Sequence, residues 1–139
     1  MSGTTFLTDE KGQDTYLESL NLTQDLLNDL LMDISLLGEF ASEKEFYWNR
    51  ELTGLTQHIS TFVEITTLLA KIAFAKKQKP DPQFKESHIQ LLFVMKAMNQ
   101  TQLKRDYVGL EELIKYELKD ILTQWKIDLL PQLKKLFNQ

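Results

Sequence analysis

The 139-residue sequence predicts an all-α fold, an up-down four-helix bundle with a short additional C-terminal helix. Three observations predict it. Four segments carry apolar residues at the 3.6-residue period of a helix, and none keeps the alternation of a strand. Five glycines and three prolines are too few for the many tight turns of an all-β chain. The connections are short, which makes consecutive helices antiparallel neighbours. The length and a 42% hydrophobic, 26% charged composition fit one domain, expected over residues 14–139 behind a mobile tail at 1–13.

The first helix is expected from Asp14, an N-cap, to Gly38, a natural stop, with Leu17, Leu20, Leu27, Leu31 and Ile34 on one stripe. Ser42-Glu43-Lys44-Glu45 is a capping box that opens the second helix. That helix continues through Leu52, Leu55, Ile59, Phe62, Thr66, Leu69 and Ala73 to about Lys76, with Gly54 as a possible kink. Lys76-Lys77-Gln78-Lys79-Pro80-Asp81-Pro82 breaks the pattern and reads as the one clear linker. Asp81 as cap and Pro82 at the first position launch the third helix, whose stripe is Phe84, His88, Leu91, Leu92, Met95 and Met98. Lys104-Arg105-Asp106 leaves room only for a tight hairpin, with Asp106 capping a fourth helix through Leu110, Leu113, Ile114, Leu118, Ile121, Trp125 and Leu129. Pro131 bends or ends it, and Leu133, Leu136 and Phe137 suggest a short last helix that packs back.

The missing chemistry narrows function. Without cysteine there is no disulfide, thiolate nucleophile or cysteine-bound zinc. Glu86-Ser87-His88 misses the Glu-x-x-His spacing of a di-iron bundle by one residue, so neither metal nor cofactor is expected. His88 lies within the apolar stripe of its helix and reads as a hydrogen-bonded core histidine. The two histidines and the absence of a glycine-rich phosphate loop give no nucleophile–base pair or nucleotide cradle. The expectation is a non-enzyme; a carboxylate-only hydrolase is the minority alternative. Sixteen basic against twenty acidic residues leave a net charge of −4, which favours neither nucleic acid nor anionic membrane as partner.

No basic start with an apolar run marks a signal peptide, and the apolar stretch Phe62 to Ala75 is interrupted by Glu64 and Lys71. A cytoplasmic location without a membrane span is therefore expected. Lys71, Lys76, Lys77, Lys79 and Lys85 gather around the linker, as solvated cations at a helix C-terminus do. Asp25, Asp29, Asp33, Glu39, Glu43 and Glu45 make the first helix and its turn acidic.

Two surfaces are candidates for a partner. Tyr47, Ile65, Leu68 and Ile72 form a flank of the second helix that a four-helix core need not cover. Either it is an interface, or the last helix or a tilted third helix with Ile89, Phe93 and Ala97 covers it. Phe46-Tyr47-Trp48 are three adjacent aromatics that cannot all point into one core. Tyr47, Trp48, Ile65, Leu68 and Ile72 are the expected partner-binding residues.

Met98-Asn99-Gln100, Lys104-Arg105-Asp106-Tyr107, Leu110-Glu111-Glu112-Leu113, Tyr116-Glu117-Leu118 and Trp125, in that order, resemble the final hairpin of the bacterial flagellin export chaperones, or of a related bacterial helical-bundle family. The resemblance implies a small cytoplasmic bundle that holds an amphipathic helix of an export client. The expected partner is thus a protein client, with self-association as a homodimer the alternative.

Overall fold

The computed structural model describes residues 10–40, 45–75 and 82–138, with side chains over 15–37, 50–75 and 82–137. Among these residues there are four helices and no strand. Helix α1 is Glu10–Phe40, α2 is Glu45–Ala75 and α3 is Pro82–Leu103. Helix α4 runs over residues 107–138 and contains two π-helical stretches, Leu113–Leu118 and Trp125–Leu129.

Helix α1 begins four residues before Asp14 and passes Gly38. Glu10, Lys11 and Gln13 are good helix formers, and a glycine costs a helix only about 1 kcal/mol, so neither expected boundary holds. Its buried face is Leu20, Thr23, Leu27, Leu30, Ile34 and Leu37, while Leu17 and Leu31 sit half-buried at the margin. Helix α2 continues unbroken through Gly54. The expected cap Ser42, the linker 76–81 with Asp81, and most of the tail lie outside the described residues.

The α3–α4 hairpin is built as its residues dictate. Arg105 takes the left-handed conformation, φ 57°, its N–H donates to the Gln102 carbonyl at 3.0 Å, and the Asp106 N–H donates to the Thr101 carbonyl at 2.9 Å. This pair closes the C-terminal end of α3. The Asp106 carboxylate then accepts the Gly109 N–H at 3.0 Å and opens α4. A Cβ at Gly109 would meet the Asp106 carboxyl group where it now sits, so a larger residue there would push the capping carboxylate aside.

Helix α4 is the centre of the core. Leu110, Ile114, Leu118 and Leu122, then Trp125, Leu129, Leu133 and Phe137, are all buried. Within each group the spacing is four residues, and on a regular α-helix each such step turns about 40° away from the last. The two π stretches absorb that drift by widening the turn, so both groups face the same core. The second also resolves Pro131, which neither ends the helix nor starts a separate one. The Leu130 N–H bonds to the Trp125 carbonyl five residues back, and the wider turn accommodates the proline that follows. The expected short C-terminal helix is thus the continuation of α4, Leu130–Asn138, which contacts α1 and α2.

Candidate functional site

Helix α3 buries Phe84, Ser87, Leu91, Val94 and Met98. Leu92, expected in this stripe, is instead 56% exposed, with Ile89 and Phe93 at 44% and 69%. The run Leu91-Leu92-Phe93-Val94-Met95 turns about 100° per residue, so five consecutive apolar side chains cannot share one face. Leu91 and Val94 take the core; Leu92 and Phe93 are left outside. The sequence carried this signal, and it is the same one that singled out Phe46-Tyr47-Trp48.

Beside this ridge a groove of about 420 Å³ runs between α2 and α3. Val63, Ala70 and Phe74 form its α2 side, Phe84, Ile89 and Leu92 its α3 side. Lys71 and Lys85 stand on opposite walls, and His88 lies along the α3 wall. The surface continues outward over Ile89, Leu92, Phe93 and Lys96. On the other side of α3, a shallower depression is lined by Phe93, Val94, Glu117 and Ile121.

Beneath the groove sits a fully satisfied polar cluster. Trp125 is completely buried, packs edge-on against Phe62 and Phe84 at centroid distances of 5.3 and 5.5 Å, and stacks on the His88 ring at 5.2 Å. Its indole N–H donates to the Ser87 hydroxyl at 2.7 Å. Thr66 donates to the Phe62 carbonyl at 2.7 Å, and its oxygen lies 2.8 Å from His88 Nε2. A hydroxyl has one proton, so with that proton given to Phe62 the Thr66 oxygen accepts from Nε2–H. Burial lowers the His88 pKa from its ordinary value, because an imidazolium is poorly solvated there. The imidazole is therefore neutral at pH 7 and holds α3 to α2. No buried side-chain nitrogen or oxygen among the described residues lacks a hydrogen-bond partner.

The expected partner residues are distributed unevenly. Ile65 and Ile72 are half-buried and pack against the core. Leu68 is 60% exposed and lies about 120° round α2 from the Val63–Thr67–Phe74 row of the groove. Tyr47 and Trp48 fall in the first turn of α2, and their side chains lie outside the described residues. A second cleft, about 220 Å³ between α1 and α2, is lined by Asp33, Glu51, Gly54 and His58 among others. Among the described residues no group of three or more histidine, aspartate or glutamate side chains is placed to hold a metal ion.

Residues Arg50–Ala75 of α2 are long and apolar enough to cross a membrane by length and composition, which the shorter stretch from Phe62 did not suggest; 28% of the most apolar window is buried inside the structure. No protein-family model, curated protein or solved structure matches this chain.

Proposed function

We propose that this chain is a non-catalytic protein–protein interaction module, a cytoplasmic chaperone or adaptor that receives an amphipathic helix of a client in the α2–α3 groove. The reading takes the four helices as an up-down bundle. Contacts of α1 with α2 and α4, and of α3 with α2 and α4, support that arrangement, as does the tight turn at Lys104–Asp106.

The observation that carries the proposal is the continuous apolar surface formed by the groove and the Ile89–Leu92–Phe93 ridge. An amphipathic helix lays apolar anchors at i, i+3, i+4 and i+7 into such a groove. The site favours a helix over an extended strand because no sheet edge is offered among the described residues. The resemblance of residues 98–125 to flagellin export chaperones points the same way.

The test is titration of a labelled flagellin-type terminal helix, followed by fluorescence anisotropy, against the wild type and an Ile89→Asp/Leu92→Asp variant. Saturable binding at tens of micromolar or below, lost in the variant, supports the reading; no binding to the wild type rejects it. Exposed Leu68 favours a second reading, self-association through the flank it shares with Ile65 and Ile72. Light scattering that shows a dimer abolished by Leu68→Asp would support that alternative.

A further inference from the structure

We infer that the helix taken by the α2–α3 groove is acidic, setting carboxylates beside its apolar anchors. The inference rests on the groove reading and adds the charge of the partner. The chain as a whole has a net charge of −4, yet every charged residue lining this surface is a lysine. Lys71 stands on the α2 wall and Lys85 on the α3 wall of the groove, and Lys96 lies beside the Ile89–Leu92–Phe93 continuation. All three are exposed, and none makes an ion pair among the described residues.

The placement suits recognition. A helix lying between the two walls meets an ammonium group on each side, while the lysine stems cover apolar surface at the rim. Lys85 and Lys96 are eleven residues apart, about 16 Å or three turns along α3. A partner helix running alongside α3 satisfies both with carboxylates spaced by about three turns. Exposed ion pairs add little affinity individually, so the lysines act mainly by rejecting basic helices and selecting among apolar ones.

Three labelled peptides of about 18 residues, roughly 27 Å as helices, test this. They share one apolar face and carry Glu, Gln or Lys at the flanking positions. Against the intact protein at low salt, the Glu peptide is expected to bind about tenfold more tightly than the Gln peptide, and the Lys peptide most weakly. The spread should shrink in 0.5 M salt as the charges are screened. Lys71→Glu/Lys85→Glu/Lys96→Glu, checked for unchanged folding by circular dichroism, should reverse the order.

Equal affinities for all three peptides, still abolished by Ile89→Asp/Leu92→Asp, would overturn the charge inference and leave the groove reading intact. No binding by any peptide would remove both. Two controls identify other occupants. Binding to phosphatidylcholine–phosphatidylserine vesicles that the triple variant loses would assign the lysines to lipid headgroups and overturn the inference. So would a concentration-dependent oligomer dissolved by the triple variant, which would make a second copy the occupant.

Discussion

Trp125 of α4 donates its indole N–H to the Ser87 hydroxyl of α3 at 2.7 Å, and both side chains are buried. The bond joins the helix at the centre of the core to the helix that bears the candidate binding ridge. Ser87→Ala leaves a buried donor without an acceptor, and the expected cost is about 1–3 kcal/mol. In a Trp125→Phe background the same change should cost far less, since no donor remains to be orphaned. Urea denaturation followed by circular dichroism on the four proteins of this cycle measures the difference.

His88 makes stability depend on pH in a definite direction. Its pKa in the folded protein is lowered by burial, so between the folded and unfolded values the unfolded chain binds the extra proton. The stabilisation is complete above the unfolded value near 6.5 and is lost as pH falls through the folded one. His88→Gln removes this titration, and its amide can still reach Thr66. Denaturation midpoints from pH 8 to pH 5 should fall more steeply for the wild type than for His88→Gln. Parallel curves would show that burial does not perturb this imidazole.

Leu91 and Leu92 are neighbours in sequence with opposite surroundings, one fully buried and one 56% exposed. Leu91→Ala should cost about 2–5 kcal/mol, as buried leucines do. Leu92→Ala should change stability by less than about 0.5 kcal/mol while weakening helix capture. Thermal melts paired with peptide titration separate the two effects. Equal destabilisation by both changes would place Leu92 in the core.

Two glycines predict opposite outcomes for one substitution. At Gly54, inside α2, an added Cβ meets nothing within 4 Å. Gly54→Ala should therefore stabilise the protein by about 0.5–1 kcal/mol through helix propensity. At Gly109 the Cβ collides with the Asp106 carboxyl group and spoils the cap of α4. Gly109→Ala should destabilise by about 0.5–1 kcal/mol, the weight of a lost N-cap less the propensity gained. Chemical denaturation of both variants is sufficient to read the signs.

The helices and the Asp106 hairpin were legible in the sequence because they rest on local rules, apolar period and capping, that tertiary contacts did not override. The outward ridge was less legible. Helix α3 has apolar residues around most of its circumference, so its period does not say whether Leu91 or Leu92 faces inward. That choice is made by Trp125 of α4, distant in sequence, which packs against Phe84 and His88 of α3 and is itself backed by Phe62 of α2. Pro131 misled for a related reason. A proline is a local stop signal, but the π turn preceding it and the core contacts of Leu129, Leu130 and Leu133 carry the helix onward. Of the flank expected on the second helix Leu68 is exposed, whereas the partial burial of Ile65 and Ile72 depends on packing that no local pattern specifies.

The two widened turns give α4 room to lose residues. Each holds roughly one more residue than a regular turn uses, and Tyr116 and Ile127, one in each, point to solvent. Removing either should let the ladder close to ordinary spacing while everything beyond it keeps its direction. A deletion in a regular α-helical part of the chain has no such slack and would swing the following side chains by about 100°. Length variation in this helix is therefore expected to be tolerated at those two places.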